Sequence, residues 1–337
     1  MNKRINWVIR PFHPNAQGYV APYDGLRFVA IISVLLFHAG WFKYGFLGVQ
    51  AFFVLSGFLI STLIVKNEFS VEGLIKFYLN RFIRLTPVLW LSVAFGGLVF
   101  WIKYRGIPFT LMIHAAFYAR NFYATENLHN HDLWTPTWSL ASEEQFYLMA
   151  PLLILFFIKK TKTRRFASVI FLVLYAYGSF YFTPNSNYTS HYVVNSSGLL
   201  LGVFMGVSAH QKFGRSVVVA LFTIGLAYSL SSYKLNTTIE LSTALYILQY
   251  NNRFLSPLTK ILSFRPFCKV GIISYSIYIW HGMVLALVLN SRPDSIIYAL
   301  AGIIISVLLG GISYVTFELP VRLMLGRKFK ILTQNKI

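Results

Sequence analysis

The chain has 337 residues, of which 56% are apolar and only 12% charged, yet 30 Lys and Arg against 10 Asp and Glu leave a net charge of +20. Soluble domains run nearer ~45–50% apolar and ~25% charged, so composition excludes a disordered chain, a disulfide-built secreted scaffold (Cys268 stands alone) and an ordinary water-soluble enzyme. The bases are scattered between long apolar runs rather than gathered on a polar domain, which argues against a nucleic-acid partner. Together with a mean hydropathy of +0.59, this predicts an all-α, polytopic integral membrane helix bundle of about ten transmembrane helices with no soluble domain.

In chain order, the polar segment 1–21 carries Pro11 and Pro14 and does not read as a cleavable signal peptide. Apolar length bounded by Pro, Gly and charge predicts spans over 26–42, 45–65, 87–102, 142–158, 166–182, 192–208, 216–232, 237–250, 270–289 and 295–317. The eighth is short and carries Glu240 and Gln249. The stretch 107–122 is apolar but interrupted by His114 and Arg120, which fits an interfacial helix, a re-entrant helix or an eleventh span. If the N-terminus lies inside, 24 of the 30 bases fall on inner segments and six on outer ones. That asymmetry predicts an even number of spans with both termini cytoplasmic.

Five groups of residues stand out as candidates for chemistry. Arg27 and His38 are eleven residues apart, so at ~100° per residue they share a helix face, and the rise of ~16 Å puts His38 near mid-membrane if Arg27 sits at the inner surface. An intramembrane His is a functional candidate, with helix packing as the alternative. Arg81 and Arg84, in Phe77-Tyr-Leu-Asn-Arg-Phe-Ile-Arg84, share a face at the expected inner end of the third span. A guanidinium pair suits a phosphate or pyrophosphate, and equally suits anchoring to lipid headgroups. Glu143 and Glu144, in Trp138-Ser-Leu-Ala-Ser-Glu-Glu-Gln-Phe-Tyr147, are expected toward the outer third of the membrane, facing a wet cavity or forming an outer helix N-terminus. His281, in Ser274-Tyr-Ser-Ile-Tyr-Ile-Trp-His281, lies twelve residues above Lys269, or ~18 Å, close to the depth of His38. Glu318 in Tyr314-Val-Thr-Phe-Glu-Leu-Pro320 is expected to pair with an inner-face Arg before Pro320 ends the helix. Ser56 and Gly57 read as a close helix contact. His129, His131 and Asp132 read as solvated loop residues, so no metal is expected.

Taken in order, these motifs resemble the membrane-bound acyltransferase-3 family, which O-acylates sugars of bacterial envelope and exported glycans. The resemblance is carried by Asp24-Gly-Leu-Arg27 with His38, by Gly48-Val-Gln-Ala-Phe-Phe-Val-Leu-Ser-Gly-Phe-Leu-Ile60, and by the stretch 77–84. The stretches 138–147, 274–281 and 313–320 complete it. Gln50 departs from the Asp or Asn the family often shows there. The resemblance implies an acyltransferase transmembrane domain over 23–326 between cytoplasmic tails 1–22 and 327–337, in a bacterial inner membrane. It implies acetyl-CoA as donor and a sugar hydroxyl of a polysaccharide such as O-antigen as acceptor. It further implies Arg27, Arg81 and Arg84 toward the donor phosphates, with His38, Glu143, Glu144 and His281 as catalytic residues. His38 would act as general base or transient acyl carrier. A rival reading is an exporter or flippase of a lipid-linked glycan, whose path would also be lined by His and Glu; another is an acyltransferase acting on lipid or a small glycoside.

Overall fold

The computed structural model describes residues 20–66, 71–123, 133–158, 192–210, 235–249, 255–289 and 295–334. Among the described residues every regular element is a helix. In chain order they are α1 (Ala21–His38), a 3-10 turn (Gly45–Leu47), α2 (Gly48–Lys66), α3 (Val71–Tyr104), α4 (Phe109–Ala116), α5 (Arg120–Tyr123) and α6 (Thr137–Ile158). Then come α7 (Tyr192–His210), α8 (Leu235–Gln249), α9 (Ser256–Leu262), α10 (Arg265–Ile272), α11 (Ser274–Leu289), α12 (Ile296–Ser313), a π segment (Tyr314–Glu318) and α13 (Leu319–Gln334). Among the described residues four helical stretches are long and apolar enough to cross a membrane, and a fifth if α10 and α11 count as one bent span. The expected spans 166–182 and 216–232 lie outside the described residues.

One face of α12 shows why this is a membrane bundle. Ile297, Leu300, Ile304, Leu308 and Ile312, continued by Val315 of the π segment, follow helical spacing and are all exposed, Ile297 to 75%. Such a continuous apolar stripe is unfavourable in water and suits hydrocarbon. The inward faces meet through small residues. A Cβ added to Gly57 would strike the Leu199 carbonyl of α7, and one added to Gly202 would strike the Val54 carbonyl of α2, so these two helices run backbone to backbone. α1 and the α9–α10 corner lock together the same way, Gly25 lying on the Leu262 carbonyl and Gly271 on the Asp24 carbonyl. The Phe28 and Phe267 rings stack there at 4.2 Å. α1 stops where Gly40 takes φ +79°, a left-handed turn open to glycine.

The structure departs from the expected spans in four places. The third is far longer than 87–102: α3 has 34 residues, ~51 Å at 1.5 Å each, so Arg81 and Arg84, expected at its inner end, stand well inside the helix. The ninth is broken at Ile273, with α10 and α11 meeting at 68°. Pro320 does not end the last span. The π segment opens the ladder just before it, and Pro320 then falls in the first turn of α13, where a missing N–H costs little. Finally, 107–122 forms two helices of eight and four residues, too short for an eleventh span though in keeping with the interfacial or re-entrant readings, and Arg120, one of the six bases assigned to outer loops, is completely buried.

Candidate active site

The two candidate histidines come together. His38 is the last residue of α1 and is exposed; His281 lies mid-way along α11 and is completely buried. Their ring centroids are 5.1 Å apart, as their matching depths predicted, but α1 ends at His38 instead of carrying it mid-way along a span over 26–42. The Nδ1 of His281 donates to the Tyr278 carbonyl at 2.6 Å. A carbonyl only accepts, so Nδ1 carries the ring proton and Nε2 presents a lone pair. That Nε2 is buried with no hydrogen-bond partner among the described residues.

Tyr278 holds this arrangement from the other side. Its ring lies 5.0 Å from that of His281. Its hydroxyl donates to the Pro136 carbonyl at 2.5 Å, which leaves the Ser139 hydroxyl, 2.6 Å away, to donate to it. Gly282 makes room, since a Cβ there would press on Pro136 at 2.7 Å. The start of α6 is thereby tied to the imidazole pair.

Glu143 and Glu144 follow on α6, and both are half-buried. Glu143 accepts hydrogen bonds from Tyr147 and from Ser56. The Arg81 guanidinium lies over the Tyr147 ring, 4.1 Å from its centroid, and both carboxylates are within its electrostatic reach. One oxygen of Glu144 is buried with no hydrogen-bond partner among the described residues. The expected depths are therefore corrected. Arg81 and the two glutamates, placed by sequence toward opposite faces of the membrane, share one level, because α3 begins well before the span the sequence delimits.

Beyond this level lies the cationic end. Arg27 pairs with the buried Asp24 three residues before it. Arg84 is half-buried, and the charges that bear on it include the cations Arg81, Arg322 and Arg27 and the carboxylates Glu318, Glu143 and Glu144. Glu318 pairs with Arg322 as its position near the inner charges predicted. The result is a chain of polar side chains in an apolar bundle: the arginines, then Glu143 and Glu144, then Tyr278 and the buried His281, with the exposed His38 at its end. Glu143 is the link: Arg81, Arg84 and Arg27 act on it electrostatically, and its charge acts in turn on Tyr278.

Tyr278, Ser139, Tyr147 and Arg322 were not singled out from sequence. Arg322 was the most accessible of these, standing one helical turn after Glu318. Among the described residues no group of three His, Cys, Asp or Glu side chains gathers as a metal site would. His129, His131 and Asp132 lie outside them.

Fold and site together define a helical membrane protein that keeps imidazole, carboxylate and guanidinium groups inside its bundle. The acyltransferase-domain profile of the acyltransferase-3 family matches residues 21–315, and the chain belongs to that family. It is 28% identical over 365 residues to the O-acetyltransferase OatA of Staphylococcus aureus (strain NCTC 8325 / PS 47), which covers 94% of this chain and 60% of that protein. It is also 28% identical over 359 residues to the peptidoglycan O-acetyltransferase OatA of Listeria monocytogenes, covering 91% of this chain and 56% of that protein. The chain thus spans less than two thirds of these relatives. No solved structure matches it significantly.

Proposed function

We propose that the chain is an O-acyltransferase that moves an acyl group, acetyl by preference, from cytoplasmic acyl-CoA to a sugar hydroxyl of a cell-envelope glycan. Family membership and the names of the relatives support acyl transfer to oxygen. The name of the Listeria relative favours a cell-wall glycan as acceptor over O-antigen. The protein sits in a bacterial cytoplasmic membrane with ten spans and both termini inside, a reading supported by the asymmetry of its bases.

The observation that carries this reading is the His38–His281 pair. The acceptor O–H loses its proton to His38 as its oxygen attacks the thioester carbonyl; the C–S bond breaks and the sulfur leaves as thiolate, which takes the proton back. His281 makes this easier by what it withholds. Its only ring proton is committed to Tyr278, so it turns a lone pair rather than a second N–H toward the site, and positive charge growing on His38 meets no competing cation. Arg27, one helix face and ~16 Å from His38, holds donor phosphates with Arg81 and Arg84 while the acyl end reaches the imidazoles. Glu143 and Glu144 orient the acceptor or pass its proton. Membrane lipid and the glycan acceptor are the partners.

The test is acetylation of envelope glycan in cells carrying His38→Ala at unchanged membrane level. Acetylation equal to that of the parent protein would sink the mechanism. Release of CoA from labelled acetyl-CoA by the purified protein separates a transferase from an exporter.

A further inference from the structure

α1 delivers His38 as its last residue, and the chain turns back there at once. The turn is pinned by its own backbone. Ala39 N–H donates to the Leu35 carbonyl and Gly40 N–H to that of Phe37, while the N–H groups of Trp41 and Phe42 share the Leu36 carbonyl at 2.9 and 3.2 Å. Gly45 N–H closes on the Phe42 carbonyl at 2.9 Å, and a Cβ on Gly45 would strike the Ser33 carbonyl of α1. The segment 39–45 is therefore folded onto the end of α1 rather than looped away from it.

What this ordered turn presents is aromatic. Trp41, Phe42 and Tyr44 are 42%, 43% and 44% exposed. The Phe42 and Tyr44 rings meet edge to face at 6.4 Å instead of stacking. The aromatic surface runs on to the imidazole, since the Phe37 ring lies 5.1 Å from that of His38 and 5.6 Å from that of Phe46. Lys43 stands among them, exposed, with its Nζ 5.8 Å from the centroid of the Tyr44 ring. No Asp or Glu occurs in the sequence from 25 to 67, so the stretch around Lys43 carries no balancing charge of its own. Exposed rings beside a cation, already ordered, suit a ligand with apolar faces, polar edges and acidic groups. A glycan strand bearing carboxylates has that chemistry. Trp and Tyr at a membrane surface also settle among lipid headgroups; here Trp41 stands three residues from the imidazole that the acceptor hydroxyl has to reach.

We propose that the turn 39–44 is the acceptor platform: sugar rings of a glycan strand lie on Trp41 and Tyr44, and Lys43 meets a carboxylate of the strand, which sets the reacting hydroxyl at His38. This rests on the acyl-transfer reading above and extends it by naming what holds the rest of the acceptor.

The full chain is purified into nanodiscs of uncharged lipid and titrated with two glycans of equal length. One is chitotetraose, which is neutral; the other is a cell-wall tetrasaccharide whose alternate sugars carry lactyl carboxylates. Acetyl transfer from acetyl-CoA to each is followed in parallel. Trp41→Ala and Tyr44→Ala should each weaken binding of both glycans, and raise KM for them, roughly fivefold to tenfold, with KM for acetyl-CoA and thermal unfolding unchanged. Trp41→Phe should keep most of the affinity; Trp41→Leu, apolar but without a flat face, should not. Lys43→Gln should weaken only the carboxylated strand, and the difference should fade in ~1 M salt. Unchanged glycan binding in both alanine variants overturns the platform and leaves the acyl-transfer reading standing. So does a loss of thermal stability or membrane level at unchanged glycan affinity, which would assign the rings to headgroups. Lys43→Gln acting on both glycans equally, or on neither, overturns the carboxylate contact. If the parent protein binds the glycans through these residues yet transfers no acetyl group, the acyl-transfer reading falls and the platform stands; if it binds neither glycan, the platform falls whatever the transfer assay shows.

Discussion

The ring of His281, whose buried Nε2 has no hydrogen-bond partner among the described residues, lies 5.1 Å, centroid to centroid, from that of His38, which closes the first helix described. Neither residue alone makes that geometry. It needs α1 and α11 packed side by side and a backbone carbonyl, that of Tyr278, to claim the other ring nitrogen.

The two histidines should therefore fail differently. His38→Ala should lower acyl transfer by ~10²–10⁴, the usual range for a positioned proton-transfer group. His281→Phe fills the same buried volume without a lone pair and should lower kcat while leaving acetyl-CoA binding intact. Single-turnover kinetics on purified protein check both. An unchanged kcat for His281→Phe would remove it from the chemistry.

Tyr278→Phe should act through position rather than contact. It loses the bonds to Ser139 and Pro136 and strands a buried serine hydroxyl, at a cost of ~1–3 kcal/mol. Thermal unfolding in detergent should show the loss. Ser139→Ala added to it should restore part of the stability, since both ends of the broken bond are then gone.

Arg81 and Tyr147 offer a cleaner separation. Tyr147→Phe keeps the ring beneath the guanidinium but removes the hydroxyl that Glu143 accepts; Tyr147→Leu removes both. A double-mutant cycle with Arg81→Gln should return ~0.5–2 kcal/mol of coupling for the ring. The Tyr147→Leu cycle should show this coupling and the Tyr147→Phe cycle should not; a coupling near zero in the leucine cycle would show that the stacking carries none of it.

Gly57→Val and Gly202→Val should each prevent α2 and α7 from meeting, because the added atoms overlap carbonyl oxygens rather than flexible side chains. A cost of ~1–3 kcal/mol or more is expected, visible as loss of monodisperse protein on size exclusion. Gly106→Ala is the control, since a Cβ there meets nothing within 4 Å.

Much of this arrangement was legible beforehand, and the failures share a cause. The second span was read almost to the residue because an apolar run lies between Gly45 and Lys66 with nothing to confuse it. The two histidines were placed at one depth by counting steps from Arg27 and Lys269, which works while a helix rises evenly. The third span was cut short at 87 because Lys76, Arg81 and Arg84 look like a loop in water. Hydropathy does not separate a charge facing solvent from one facing the inside of a bundle. That error carried forward: with α3 starting too late, Arg81 and Glu143 were assigned to opposite faces, and their meeting was lost. Arg120 was set outside for the same reason. Backbone acceptors are invisible to such a reading altogether, so Tyr278 as the residue that fixes the tautomer had no signal in the sequence.

The π segment has a meaning for how this chain tolerates length change. A helix turns ~100° with each residue, and a π turn amounts to one residue more than the α ladder needs. Removing a single residue between Tyr314 and Glu318 would leave a continuous, apolar and well-formed helix. Everything after it would be rotated by more than a quarter turn, and Arg322 would swing from the cationic end toward lipid. The register of the last helix, and with it the end of the cationic site, is thus set by one surplus residue.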